Sequence, residues 1–295
     1  MQGIIVKALS SFYYVENENG ITECRARGAL KNKGISPLVG DFVEFSAADK
    51  KQGYVVEKIL PRKNCLSRPP IANIDKAFIV SSYTTPAPNF LIIDTLIAIC
   101  EYKNILPILV FNKSDLGDFT EWCKCYTDAG YKAIITSAEV GAGIDKLEGE
   151  FKGSVSVLTG NSGVGKSSLL NLLLPELNLK TGEISEKLGR GRHTTRHTQL
   201  YKLSGGGYVA DTPGFSSLEI DKTDYDFKEN LVYCFKEFEQ YLPDCKFTGC
   251  SHTGEKGCAV CKAVNEGKIA KSRFESYISL YNELKDLKKW QIDKK

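Results

Sequence analysis

The sequence predicts an α/β protein whose strand–helix core is preceded by a small β-barrel and followed by a helical end with a metal-binding loop. Three observations carry that prediction. Short alternating runs fill residues 1–68, strand and helix patterns alternate from about residue 71, and a cysteine-rich loop interrupts the helical end at 245–261. With 295 residues, 42% of them apolar, the chain has material for two or three cores.

The first segment reads as five strands: GIIVKAL, SFYYVEN, ITECRAR, DFVEFS and GYVVEKIL. ENENG and the region around Gly34–Pro37 supply the turns. Five strands in so short a span suggest a closed or partly closed barrel of the OB type; a β-domain without a ligand is the alternative. RPP at 68–70 stiffens the chain and sets a boundary, giving a first domain at 1–68. Beyond it, KAFIVSS, ILPILVF, YKAIITS and SVSVLTG read as strands, while NFLIIDTLIAICEYKN, DFTEWCKCYTDAG and GIDKLEGEF read as helices. Such alternation predicts a parallel sheet covered by helices, with ligands at the carboxyl ends of its strands. This middle domain is expected over 69–222 and the helical domain over 223–295.

Other classes are set aside by what the chain lacks. It has no run of about 18 apolar residues, so no membrane span is expected. Its start lacks the basic-then-apolar layout of a secretory signal. Ten irregularly spaced cysteines then fit a reducing cytoplasm better than a disulfide framework.

Gly160-x4-Gly165-Lys166-Ser167 matches the phosphate-binding loop in full, between the strand VSVLT and the helix KSSLLNLLL. Its glycines let backbone N–H groups turn toward the phosphates, and the helix N-terminus adds partial positive charge. Lys166 would reach the β- and γ-phosphates and Ser167 would ligate Mg²⁺. The candidate phosphate-binding residues are Gly160, Asn161, Ser162, Gly163, Val164, Gly165, Lys166, Ser167, Ser168 and the later Gly214. Asp211-Thr212-Pro213-Gly214 follows the strand-like GGYVA. Its Asp211 is placed to hold Mg²⁺ and its Gly214 N–H to meet the γ-phosphate. Between the two motifs, in KLGRGRHTTRHTQ, Thr195 is the candidate third Mg²⁺ residue, with Thr194 as alternative. Phe215 stands where a glutamine would orient the attacking water, so unassisted hydrolysis is expected to be slow. His193 is the nearest polar replacement, ahead of His197; simple phosphate or RNA contact is the plainer role for either.

Asn112-Lys113-Ser114-Asp115 is a guanine reader by chemistry. The Asp115 carboxylate can accept from guanine N1–H and N2–H₂, donors that adenine does not offer. Asn112 can tie neighbouring loops, and the Lys113 stem can lie along the base. One strand later, Thr136-Ser137-Ala138 suits a loop whose Ala138 N–H meets guanine O6. The motif order is base reader, Ser-Ala loop, phosphate loop, threonine, DxxG. It is the usual GTPase cycle cut after DxxG and rejoined, which leaves strand-end loops in place and attaches the DTPG switch directly to the C-terminal domain.

Cys245, Cys250, His252 and Cys258 gather within CKFTGCSHTGEKGC, too polar a loop to pack its own core. Three thiols and an imidazole suit one structural zinc with no open position, and Cys261 is a spare that leaves the fourth ligand open. Net charge is only +3, but Lys187, Arg190, Arg192 and Arg196 share a stretch without acids, and Lys262–Lys295 holds nine Lys/Arg against five Asp/Glu. A barrel, a basic switch and a basic end together suggest contact with structured RNA.

NKSD, GNSGVGKSSLLN, GRGRHTTRHTQL, DTPGF and CKFTGCSH with its later GC make the chain resemble the RsgA (YjeQ/YloQ) family over nearly its whole length. The resemblance implies a circularly permuted P-loop GTPase domain with an N-terminal OB-fold β-barrel and a C-terminal helical zinc-binding domain. It implies action late in 30S subunit maturation in the cytoplasm, with GTP/GDP, the 30S subunit and 16S rRNA as partners and GTP hydrolysis stimulated by the subunit. It further implies Mg²⁺ with GTP, one structural zinc on Cys245, Cys250, His252 and Cys258, and His193 as the catalytic residue; a monomer is expected. The rival functions are a GTP-responsive RNA-binding protein without catalysis, an ATP-dependent kinase on the same loop, and a permuted GTPase acting on another ribosomal particle.

Overall fold

The computed structural model describes residues 1–27, 36–48, 53–67, 69–177, 198–211 and 225–286, with Asp211 and Tyr225 described by their backbone. In chain order the strands are β1 (Gln2–Leu9), β2 (Phe12–Asn17), β3 (Gly20–Ala26), β4 (Phe42–Ala47), β5 (Tyr54–Ile59), β6 (Cys65–Ser67), β7 (Pro70–Ala72), β8 (Lys76–Ser82), β9 (Leu106–Asn112), β10 (Lys132–Ile135), β11 (Val155–Thr159), β12 (Gln199–Lys202) and β13 (Tyr208–Asp211). The α-helices are α1 (Phe90–Tyr102), α2 (Thr120–Asp128), α3 (Ile144–Phe151), α4 (Lys166–Leu173), α5 (Tyr225–Asn230), α6 (Ala259–Asn265) and α7 (Lys271–Leu284). Contacts divide the chain into two units, residues 1–78 with 144–217 and residues 79–143 with 218–295.

In the first unit β1 to β5 close on themselves in the order β1-β2-β3-β5-β4-β1, a five-stranded OB-type barrel. Period-two side chains turn Ile5, Val15, Cys24, Val43, Phe45 and Val56 inward, each at most 1% exposed. A register shift between Ile5 and Lys7 bends β1, as closure of so small a barrel requires. The connection after β5 is tied to the barrel. Arg62 donates from Nε and Nη2 to the buried Asp41 carboxylate at 2.7 and 2.8 Å, and Asn64 makes two 2.8 Å hydrogen bonds with the backbone of Ile74. Gly40 sits at φ 89°, and a Cβ there would come within 2.1 Å of Ala72 O, so the β6–β7 hairpin packs against glycine backbone. Pro70 of the RPP stretch opens β7 within that hairpin.

The same unit holds the strands around the phosphate loop. All five residues of β11 are buried, and β11 pairs with β13 in parallel. β12 runs antiparallel to β13, unlike the all-parallel sheet expected from strand–helix alternation. Only the turn Leu203–Gly207 joins them, too short for the helical crossover that a parallel pair needs. β12 also meets β1 at Lys7 and Gln199, and Lys202 Nζ lies 2.6 Å from Glu16 Oε1.

In the second unit β10 and β9 pair in parallel, with β8 on the other side of β9. α1 is apolar on most of its surface and correspondingly buried, from Ile93 through Cys100 except Thr95. α2 ends where Gly130, at φ 87°, donates to Thr127 O at 3.0 Å, the closure its sequence predicts. From Tyr225 the chain runs through α5 and 3-10 turns at Leu231–Cys234 and Lys236–Asp244, then the irregular cysteine loop, then α6 and α7. No helix among the described residues is long and apolar enough to cross a membrane.

Candidate nucleotide loops and metal centre

Each predicted ligand loop leaves the carboxyl end of its strand. The phosphate loop follows β11 and the NKSD and Ser-Ala loops follow β9 and β10.

In the phosphate loop Gly160, Gly163 and Gly165 take φ of 134°, 81° and 98°, which side-chain-bearing residues rarely adopt. Val164 is buried beneath it, and Leu169, Leu170 and Leu173 anchor α4. No side chain caps α4, so its first N–H groups keep their dipole for an anion. Asn161, Ser167 and Ser168 are half-buried, and Ser162 and Gly163 are exposed. Lys166 Nζ donates to Gly160 O and Asn161 O, at 2.7 Å each. Burial lowers its pKa from 10.5 to about 8, because desolvation disfavours the charged ammonium.

In the candidate guanine-reader loops Asn112 is the tie that its chemistry suggested. It is 1% exposed, and its Oδ1 accepts from Ala138 N–H at 3.1 Å and from Thr136 Oγ1 at 3.2 Å. The Ala138 N–H, expected to meet guanine O6, is thus turned toward Asn112. Ser137 Oγ donates to Asp115 Oδ1 and accepts from Val140 N–H at 3.4 Å. Asp115 is exposed, so its carboxylate is held at one oxygen within reach of solvent. Lys113 takes φ 65° and sends Nζ to Thr85 O at 2.9 Å, a backbone partner that no motif spacing marks.

His193, Thr194, Thr195, His197, Gly214 and Phe215 lie outside the described residues. The backbone of Asp211 ends β13, opposite Gln199.

The Cys245, Cys250 and Cys258 sulfurs and a His252 ring nitrogen lie within 4.8 Å of one another. Cys245 Sγ and Cys258 Sγ are 3.5 and 3.4 Å from His252 Nδ1 and 4.0 Å from each other. A tetrahedral zinc with bonds of about 2.0–2.3 Å separates its ligand atoms by about 3.5–3.8 Å, so the cage fits that ion. Burial lowers the His252 pKa, keeping the imidazole neutral as a ligand must be. Burial also pushes the Cys250 and Cys258 thiols up, so a bound cation would be needed to hold them as thiolates at neutral pH. Cys261 lies outside this cage: its N–H donates to Cys258 Sγ at 3.4 Å and its own Sγ to His252 O at 3.8 Å.

Sequence reasoning missed Glu255, which organises the metal loop. Burial alone would raise its pKa, but Ser251 Oγ and the backbone N–H groups of Glu255 itself, Ser251 and Thr253 outweigh that and hold it at about 2. The position Ser-x-x-x-Glu inside a glycine-rich loop was the available signal. It missed too the buried Arg273, whose guanidinium bonds Asp94 and Glu237. A lone acid inside the apolar run FLIIDTLIAIC was that signal.

Comparison with known proteins agrees with this geometry. A profile of the RsgA GTPase family matches residues 59–221, and one of the RsgA N-terminal domain matches residues 2–55. A protein of Caldanaerobacter subterraneus subsp. tengcongensis named small ribosomal subunit biogenesis GTPase RsgA is 47% identical over 292 residues, covering 98% of this chain and 97% of its own. A Bacillus cereus protein of the same name is 47% identical over 293 residues, covering 97% and 98%. Among solved structures, YjeQ from Thermotoga maritima superposes with a TM-score of 0.83 at 36% identity, covering 97% of this chain and 99% of its own. YloQ, described as a circularly permuted GTPase, gives 0.80 at 35%, covering 97% and 96%. The chain therefore belongs to the RsgA GTPase family and is a circularly permuted, GTP-hydrolysing enzyme.

Proposed function

We propose that this enzyme hydrolyses GTP on the small ribosomal subunit late in its maturation, and that hydrolysis triggers its release. The observation that carries this reading is the near-full-length 47% identity to relatives whose name joins GTP hydrolysis to small-subunit biogenesis. In this reading residues 1–68 form an RNA-binding barrel, 69–222 the GTPase domain and 223–295 the zinc domain. The partners are GTP/GDP and the 16S rRNA of the 30S particle, met by a cytoplasmic monomer.

Asp115 selects guanine, with Asn112, Lys113, Ser137 and Ala138 setting the loops around it. The phosphates lie on Gly160 through Ser168, and Lys166 exchanges its two carbonyl acceptors for phosphate oxygens, a stronger ionic pairing. Gly214 meets the γ-phosphate. Hydroxyl and carboxylate oxygens from Ser167, Thr195 and Asp211 suit the hard cation Mg²⁺; bound with GTP, that ion neutralises charge developing on the phosphates. His193 orients the attacking water in place of the glutamine that Phe215 displaces. Cys245, Cys250, His252 and Cys258 hold one structural zinc.

The test is the GTP hydrolysis rate with and without purified 30S and 50S subunits. Stimulation by 30S particles alone, lost in Lys166→Ala, is the expected result. Equal rates with and without 30S particles would overturn the subunit assignment.

A further inference from the structure

The four-ligand cage does not use Cys261, yet Cys261 and Cys258 form a Cys-x-x-Cys pair at the start of α6. Cys258 is the N-cap, and its sulfur accepts the Cys261 N–H at 3.4 Å. That contact sets the Cys261 backbone against the Cys258 sulfur, so a turn of the short Cys261 side chain brings the two sulfurs toward disulfide geometry. Both cysteines also line a cavity of about 640 Å³, bordered by Gly254, Glu255, Gly257 and Ala259, that gives a small oxidant access to them. Cys258 is 4% exposed and Cys261 half-buried, so that cavity is the route.

We propose that Cys258 and Cys261 are an oxidation site: a hydroperoxide converts the pair to a disulfide, and loss of Cys258 from the cage releases the zinc. The inference rests on the zinc reading above. The Cys258 thiolate attacks the outer peroxide oxygen, the O–O bond breaks, and the sulfur becomes a sulfenic acid while alkoxide leaves. That alkoxide takes the Cys261 proton. The Cys261 thiolate then attacks the sulfenic sulfur, forming the S–S bond and expelling hydroxide, which a solvent proton converts to water. The two sulfurs lose two electrons, and one peroxide becomes one alcohol and one water. Zinc is left with Cys245, Cys250 and His252, an incomplete structural set.

The experiment treats the full-length protein with hydrogen peroxide, follows zinc with a chromophoric chelator, and maps disulfides by peptide mass. Wild type should release one zinc per chain as a Cys258–Cys261 disulfide appears, and a thiol reductant with added zinc should reverse both. Cys261→Ser should hold one zinc before treatment and release it about tenfold more slowly, having lost the adjacent thiol. Release from Cys261→Ser at the wild-type rate, or a disulfide joining other cysteines, would overturn the proposal. So would a Cys261→Ser protein purified without zinc, since Cys261 would then be a ligand. Untreated wild type without zinc would instead sink the zinc reading itself, and this inference with it.

Discussion

Lys166 is where a single side chain sets a measurable property. Its ammonium is buried against two carbonyls, and burial lowers its pKa to about 8. Below that pH the free protein already carries the charge; above it, the charge is lost. A bound triphosphate favours the ammonium, so nucleotide binding must take up a proton once the pH exceeds about 8. GTP affinity should therefore be level up to about pH 8 and then weaken toward a limit of about tenfold per pH unit. Titrations between about pH 7 and 9.5 check this, with Lys166→Arg as control because a guanidinium keeps its proton throughout. If wild type and variant weakened in parallel above that pKa, Lys166 would not be the group responsible. The backbone of the Lys166 loop was legible in the sequence, since its glycines mark the left-handed positions that the strand-to-helix turn requires. The lowered pKa was not, because it arises from burial that spacing does not reveal.

The loops after β9 and β10 act as one element because Asn112 joins them. Its Oδ1 accepts from the backbone of Ala138 and the hydroxyl of Thr136, and Ser137 in turn holds Asp115. Removing that side chain leaves a donor pair without its acceptor at a site where Asn112 is 1% exposed. Asn112→Ala should cost about 1–3 kcal/mol of stability. It should also speed amide exchange at Ala138 and Val140 and weaken GTP binding at least about tenfold, since the Asp115 support is loosened. Unchanged exchange at those two amides would show that the Ser-Ala loop stands without Asn112. The antiparallel β12 escaped the sequence reading because strand–helix alternation says nothing of so short a hairpin. The five barrel strands did not, because each is a short β-rich run bounded by turn residues in the sequence itself.

Across the whole molecule, motif order revealed the permutation, and the cysteine spacing marked the residues that the fold gathers into a cluster able to hold a metal. Both are patterns of kind and spacing along the chain. What was not legible is how distant stretches are joined, and the buried Arg273 is the clearest case. Its Nη1 donates to Asp94 Oδ1 at 2.7 Å, and its Nε and Nη2 donate to Glu237 at 2.7 and 3.1 Å. Tyr126 OH donates to the same Asp94 oxygen at 3.0 Å, and the guanidinium lies over the Tyr126, Tyr131 and Phe235 rings. Burial alone would lower the Arg273 pKa, but Asp94 and Glu237 more than compensate and hold it well above its ordinary value. The cluster thereby fastens α7 to α1 within the second unit, across 179 positions of sequence. Arg273→Met would bury two carboxylates without their partner, a loss of about 3–5 kcal/mol. The combined Arg273→Met, Asp94→Asn, Glu237→Leu protein should recover most of that. Removing every charge removes the unpaired ones, while the side-chain amide introduced by Asp94→Asn still accepts from Tyr126. Thermal and denaturant unfolding of the three proteins decides the matter. A single variant as stable as wild type would mean that apolar packing around α7 alone joins the two stretches.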